Sequence, residues 1–367
     1  MAAIIYKCPC CGGELVFDPA AQRYKCEYCG SDFDQQELDS LTPAQGGESR
    51  TEETVEAEET AWSEEGDRME NGDSKEQTSA VLYNCPSCGA QIVTDETTAA
   101  TFCFYCHNPV ILSGRLSGDY LPDKIIPFAI DKKAATEKFL KYVRKKRFVP
   151  KAFFQKNQIE KLSGVYYPYW EYDCELNAGI EGEATKVRTW VSKDMEYTET
   201  QIFHIRRQGE VRLNDMTRNA LQKTNRELVE GVQPFRMSEK KDFTMGYLSG
   251  FLAERRDLER SEFEPELRQE AKEYSRRILR DTVSGYSTVH VQDTEMQMKQ
   301  EDWQYLLLPV WVLTYAGKNG QRYYYAMNGQ TGTVCGKLPI DYKKLGLTSG
   351  LVGAVIMILC LIGGFLI

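Results

Sequence analysis

Histidine is scarce in this chain, with only His107, His204 and His290 among 367 residues. A general acid–base site built on imidazole is therefore thinly supplied. His204, in "QIFHIRR", and His290, in "STVHVQD", lie in strand-like alternation and read as packed or surface residues. Nucleotide-binding loops are missing as well. No G-x-x-x-x-G-K-[ST] occurs, because Gly336-Lys337 lacks both the upstream glycine and the following hydroxyl, which excludes a P-loop. H-E-x-x-H, G-x-S-x-G and G-x-G-x-x-G are likewise absent. Behind "MAAIIYKCPCC" no long apolar run follows a basic start, so no secretory signal is expected and the thiols are expected to stay reduced. With no constellation left for catalysis, the expectation is a non-enzymatic protein.

Cysteine, by contrast, is abundant. Eight of the twelve fall into two arrays, "CPCCGGELVFDPAAQRYKCEYC" and "CPSCGAQIVTDETTAATFCFYC". Cys8, Cys11, Cys26 and Cys29 form the first set, and Cys85, Cys88, Cys103 and Cys106 the second. Each has the pattern Cys-x2-Cys-x14-Cys-x2-Cys. Four thiolates on two tight turns supply a closed tetrahedral Zn²⁺ site with no position for water or substrate, so two structural zinc ions are expected. Iron, or a redox role for one pair, is the alternative. "ELVFD" with "QRYKC", and "QIVTD" with "ATFCF", read as the paired strands of two ribbons. Cys10 reads as an incidental neighbour, His107 as a surface residue beside a ligand, and Cys174 as core. Modules of this size bury too little apolar surface to fold alone, so metal replaces a core.

Composition divides the chain into residues 1–40 (first ribbon), 41–80 (acidic linker), 81–118 (second ribbon), 119–340 (α+β domain) and 346–367 (transmembrane helix). Residues 44–80 carry twelve acidic side chains against three basic ones, a net −9 that equals the formal charge of the whole chain. High charge and few apolar groups mark a disordered linker. In the α+β domain, "IIPFAIDKKAATEKFLKYV" resembles "VQPFRMSEKKDFTMGYLSGFL", and "YYPYWEYDCEL" resembles "LLPVWVLTYAG". Two related halves, 119–230 and 231–340, are the expectation, each with a helix after its Pro-Phe. Leu267, Ala271, Tyr274 and Ile278 predict a surface helix over 265–281, and Asn-Gly at 319–320 and 328–329 predicts a three-stranded meander. The aromatics around Pro168 and Pro309 read as core packing rather than a pocket.

Two charge and hydropathy features bear on partners. Leu347 to Ile367 is 21 residues without a charge, about the length that crosses a bilayer, although a buried core helix has the same composition. Lys343 and Lys344 precede it and nothing basic follows, which places the N-terminal side in the cytoplasm of a tail-anchored protein. Gly346, Gly350 and Ala354 could pack two anchors into a homodimer. Residues 131–161 hold eleven basic side chains against three acidic ones. A solvated helix face, anionic lipid, nucleic-acid phosphate and the chain's own linker are the readings for that segment.

Both cysteine arrays resemble zinc ribbons of the rubredoxin-knuckle type, such as those of the transcription factor TFIIB. Tyr247–Glu254, Leu308–Trp311 and Asn328–Gly332 extend the likeness to most of the chain. It resembles uncharacterised bacterial TFIIB-type double zinc-ribbon proteins with a C-terminal membrane helix, often labelled as related to the PriA helicase. The missing P-loop argues against carrying a helicase motor over. The resemblance and the residues together lead to a membrane-tethered adaptor that presents two zinc modules to a cytoplasmic protein partner. Nucleic-acid binding through the ribbons and the basic 131–161 segment is the second reading.

Overall fold

A computed structural model describes residues 3–41, 80–150, 161–224, 226–316 and 322–365. The acidic linker, Lys151 and Lys156 of the basic 131–161 segment and the first Asn-Gly turn fall outside them. Around the first array run β1 (Ala3–Ile4), β2 (Leu15–Asp18), β3 (Arg23–Cys26), β4 (Asp32–Phe33) and α1 (Gln35–Leu41). Around the second run β5 (Ala80–Asn84), β6 (Gln91–Asp95), β7 (Thr98–Phe102) and β8 (Pro109–Leu112). β9 (Lys124–Ile125), α2 (Lys132–Arg144), β10 (Ser163–Ser192), β11 (Met195–Asn219) and α3 (Arg226–Glu230) follow. The rest is β12 (Lys241–Asp242), β13 (Leu252–Glu254), α4 (Arg260–Asp281), β14 (Thr288–Ala316), β15 (Arg322–Asn328), β16 (Val334–Gly336) and α5 (Tyr342–Phe365).

Pairing of β10 with β14 is the spine of an 11-stranded mixed sheet. The two sequences that look alike lie side by side here, with Tyr166 opposite Pro309 and Pro168 opposite Leu307. Proline cannot donate to a ladder, so it belongs where a ladder is interrupted. At Pro168 the outer partner of β10 changes from β13, at residues 165–166, to β11, from residue 169 onward. At Pro309 the outer partner of β14 changes from β9, at 306–307, to β15, from 310 onward. The internal likeness is therefore a local near-two-fold relation between neighbouring strands. It does not divide the domain into two halves. β9 pairs with β12 and β14, across the expected boundary at 230–231. Nor does the second Pro-Phe start a helix. Residues 125–143 form β9 and α2, whereas 232–252 form short 3₁₀ turns at Met237–Glu239 and Met245–Leu248 with β12 between. Gly246, Ser249 and Gly250 in that stretch weaken a helix and suit turns.

Beyond the prolines, β10, β11 and β14 continue together as a three-stranded arm. β10 alone has 30 residues, roughly 100 Å at strand rise. Alternate residues Cys174, Leu176, Ala178 and Ile180 are buried beneath α4, which places Phe263, Leu267, Ala271, Ser275 and Leu279 on them at every fourth position. Ile278, expected on that face, is 44% exposed, because the buried row runs one residue further on. Arg218 pairs with Glu266 and Glu270, and Arg268 with Glu301, so both edges of the arm are tied to the helix. Past residue 185 neither face of β10 is covered, and Lys193 and Asp194 turn the chain with φ of 50° and 65°. The expected meander is present as β14, β15 and β16.

Aromatic packing fills the base of the spine. Phe128 stacks on Phe251 at 4.3 Å and meets Tyr166 and Trp311 edge-on at 4.9 and 5.1 Å. Trp311 donates its indole N–H to Ile130 O at 3.0 Å. A Cβ at Gly329 would lie 2.5 Å from the Phe128 ring, so the second Asn-Gly turn leaves the space the ring needs. The aromatics around Pro168 and Pro309 are thus core, and Cys174 is buried with them. Phe128→Ala is expected to destabilise the protein by about 3–5 kcal/mol, read as a lower denaturant midpoint of the purified chain.

Candidate metal centres

Each Cys-x-x-Cys forms the same backbone turn. The amide four residues after the first cysteine donates to that cysteine's carbonyl: Gly12 to Cys8 at 2.9 Å, Gly30 to Cys26 at 3.0 Å, Gly89 to Cys85 at 2.9 Å and His107 to Cys103 at 2.9 Å. All four of these residues have positive φ, of 72°, 74°, 71° and 60°. His107 thus occupies the left-handed position that glycine takes in the other three turns, and it is exposed, as expected of a surface residue.

Within each array the four sulfurs lie within 4.8 Å of one another. Cys8 and Cys29 are 3.6 Å apart and Cys11 and Cys26 3.5 Å; Cys85–Cys106 and Cys88–Cys103 are each 3.7 Å. A tetrahedron with Zn–S of about 2.3 Å has sulfur–sulfur edges of about 3.8 Å. The distances fit that geometry and are far too long for disulfides, and the cysteines are free thiols. Each array can hold one metal ion, and the donor set fits zinc. Peptide N–H groups assist the thiolate form. Cys29 is held down to about 6 by the Ser31 hydroxyl and amide, and Cys103 to about 7, first by the Cys106 amide. Burial pushes the Cys106 thiol up to about 12. One lowered thiol in each array thus gives an arriving cation an anchoring thiolate near neutral pH, and the remaining protons leave as it binds.

The two ribbons differ in their strands. In the first, β2, β3 and β4 form their own sheet, as expected. In the second, β6 pairs with β5, whereas β7 pairs with β8 and β13 in the large sheet. "QIVTD" and "ATFCF" are therefore not a ladder with each other. Their cysteines join two sheets.

Neither ribbon stands free of the domain. One strip, Tyr247–Glu254, receives both. Phe17 packs edge-on to Tyr247 at 5.2 Å, the Ser249 hydroxyl donates to Leu15 O at 2.5 Å, and the Phe17 amide donates to Ser249 O at 3.1 Å. Gly250 has φ +88°, and a Cβ there would lie 2.3 Å from Val16. At the other end of the strip, Ala253 pairs with Ala100, and Thr97 donates to Glu254 at 2.8 Å. Lys223 bridges Asp95 at 2.7 Å and Glu254 at 2.9 Å. Burial works against ionised Asp95, but Lys223 and Thr98 outweigh it and hold that carboxyl at about 2.

What sequence reasoning missed is the outer surface of the second turn in each array. Tyr28 is 87% exposed, Phe104 73% and Tyr105 73%. Tyr28 and Tyr105 stand at the same place, just before the last cysteine, and that repetition is visible in "CEYC" and "CFYC". A carboxylate group formed by Glu171, Asp173 and Asp215 also had no local signal. Lys240 engages both oxygens of Glu171, at 2.7 and 2.6 Å, as an ion pair within the domain.

Metal analysis of the purified chain is expected to find two zinc ions, and one after Cys85→Ser with Cys88→Ser. Because β7 and β8 belong to the large sheet, Cys103→Ser is expected to lower the melting temperature more than Cys26→Ser. Gly250→Ala is expected to keep both ions while raising hydrogen exchange in residues 15–26, where the first ribbon meets the strip.

Over 368 aligned residues, covering 99% of both chains, the sequence is 32% identical to a Bacillus subtilis (strain 168) protein described as "Uncharacterized protein YdjG". No family model and no solved structure matches the chain. Likeness to TFIIB or PriA thus rests on cysteine spacing alone. End-to-end identity at this level takes in both cysteine arrays, the domain and the C-terminal helix, and the chain belongs to the family of B. subtilis YdjG.

Proposed function

We propose that this protein is a non-enzymatic, membrane-tethered adaptor whose two zinc ribbons contact a cytoplasmic protein partner. The observation that carries the reading is the matched pair of exposed aromatic turns, Tyr28 on one ribbon and Phe104 with Tyr105 on the other. Aromatic side chains offer large, stiff contact area and are enriched in protein interfaces. A closed four-thiolate site leaves the metal no substrate position, which fits a structural role. Docking on one strip fixes the spacing between the ribbons, so a partner that meets both would gain from preorganisation rather than from a flexible tether.

The tether is α5. Its 24 residues are long and apolar enough to cross a membrane, and the side chains described along it from Leu347 to Leu359 are exposed. An apolar helix left uncovered by its own domain suits a bilayer better than a core. Lys343 and Lys344 at its start favour the cytoplasmic side of a bacterial cell membrane for the rest of the chain.

Nucleic-acid binding is the second reading, favoured by the same aromatic faces, which could stack on bases. One set of experiments separates the two. A photocrosslinking residue at Tyr28 or at Tyr105, in cells making the full chain, is expected to capture the same discrete protein. Tyr28→Ala with Tyr105→Ala is expected to keep both zinc ions and lose the partner. No discrete product from either position would count against the adaptor. DNA binding that weakens with salt and disappears with Cys85→Ser and Cys88→Ser would put the nucleic-acid reading in its place.

A further inference from the structure

The basic end of α2 and the start of α5 are fastened together. After α2 the chain continues through Lys145, Lys146 and Arg147 to Phe148 and the buried Val149. The Asp341 amide donates to Phe148 O at 2.6 Å, and Lys344 donates its ammonium N–H to Val149 O at 2.9 Å. A cluster of cations is thereby held at the first turn of the apolar helix. Lys141, Arg144, Lys145, Lys146 and Arg147 are all exposed, and among the described residues no ion pair engages them. Asp341, the acid beside them in this junction, is taken up by Lys344 at 3.7 Å and by the amides of Lys343 and Lys344.

A groove of about 820 Å³ lies between these two segments. Arg147 and Lys344 line its cationic part, and Leu347, Leu351, Val352 and Ile356 follow one another down α5 along the rest, interrupted only by Thr348 and Ser349 near the cationic part. The two ends ask for different chemistry in one ligand. A negative group must satisfy the Arg147 guanidinium, beside a Lys344 ammonium that Val149 O and Asp341 engage only in part. A hydrocarbon chain must cover a helix face that is mainly apolar, where the Thr348 hydroxyl is turned back to the Lys344 carbonyl. Exposed Tyr342 and Ile340 stand at the same level, where an interfacial belt would lie.

We propose that this groove binds an anionic phospholipid, with the phosphate against Arg147 and Lys344 and one acyl chain along Leu347, Leu351 and Val352. The proposal rests on the reading of α5 as a membrane span. Charge complementarity selects the lipid, since cytoplasmic leaflets carry negative surface charge that attracts juxtamembrane lysine and arginine. Continuity with the span selects it again, because the apolar half of the groove is the face of the same helix. Nucleic acid would satisfy only the cationic half.

The full chain would be reconstituted into nanodiscs of phosphatidylcholine mixed with phosphatidylglycerol, and the lipid retained after extraction into detergent counted by mass spectrometry. The wild type is expected to retain phosphatidylglycerol over phosphatidylcholine. Lys145→Gln, Lys146→Gln and Arg147→Gln together, all exposed and outside the core, are expected to reduce that enrichment roughly tenfold. Lys186→Gln, Lys193→Gln and Arg207→Gln, the same loss of charge on the exposed arm, are expected to leave it unchanged. Inorganic phosphate is expected not to displace the lipid, which distinguishes a headgroup with its chain from phosphate alone.

Flotation of the same proteins with vesicles reads the anchor separately. If both variants and the wild type float and the enrichment is equal in all three, this site is overturned while the membrane reading stands. If the wild type does not float, the membrane reading fails and takes the lipid site with it. Equal loss of enrichment in both variants would mean a general charge effect and overturn the site. Binding of a labelled oligonucleotide that depends on Lys145–Arg147, without phosphatidylglycerol enrichment, would assign the cations to nucleic acid instead.

Discussion

Four sulfurs converging on one point join two sheets that have no strand pairing with each other among the described residues. Cys85 follows β5 and Cys88 precedes β6, so the first half of the second site belongs to the two-stranded sheet. Cys103 follows β7 and Cys106 precedes β8, so the other half belongs to the large one. Without the metal, the thiols that now face each other would repel as they ionise, and each small sheet would have little apolar surface to bury. A metal bound there would remove that repulsion and hold β5 and β6 against β7 and β8, which pair further. β8 takes β1, with Ala3 opposite Leu112, which brings the start of the chain to the same edge. β7 takes β13, the end of the strip on which the first ribbon is seated. The closure of one site thereby sets the position of the other.

How readily each feature could be read from the sequence follows how local its physics is. The eight candidate ligands are legible because a Cys-x-x-Cys turn closes within six residues, and in three of the four turns the glycine after it announces the positive φ it needs. Pro168 and Pro309 were visible as a repeated pattern, yet their meaning was not. A proline in a buried strand has to sit where the neighbouring strand changes, and only the pairing partners show that change. The arm escaped notice for the same reason. Its strands alternate polar and apolar residues as any half-covered strand does, and nothing in 163–219 states that 30 residues run without a turn. The helix expected after Pro234 fails because a Pro-Phe followed by charges matches both repeats, whereas Gly246, Ser249 and Gly250 decide for turns only once Tyr24 and Val16 are seen to need the space.

Family-like stretches acquire physical reasons in this light. Tyr247–Glu254 is the strip shared by both ribbons. Leu308–Trp311 contains the partner switch of β14 and the indole that reaches Ile130. Asn328 is fully buried. Its carbonyl accepts from the Gln330 and Thr331 amides, and its amide donates to Val232 and Pro234, so one side chain ties the second turn of the meander to the chain before β12. None of these residues belongs to either cysteine group. They hold the surfaces that the metals shape.

Charge is segregated along the sequence in a way that would bear on orientation at a bilayer. Residues 44–80 account for the whole formal charge of −9, which leaves the rest balanced in sum. That balance is not local. The face of the arm opposite α4 carries Glu175, Glu181 and Glu183 on β10 with Asp293 and Glu295 on β14, against Arg206 and Arg212 on β11. Five exposed cations, Lys141, Arg144, Lys145, Lys146 and Arg147, cluster instead at the end of α2, fastened to the first turn of α5. Near an anionic leaflet the second region is drawn in and the first pushed away, and the effect extends about one Debye length, roughly 8 Å at physiological salt. An anchor alone permits rotation about its own axis and tilting of the domain. On the proposed reading of α5 as a span, cations fixed at its base would remove much of that freedom, so that the domain would lean on the surface through α2 and keep its acidic arm in solution.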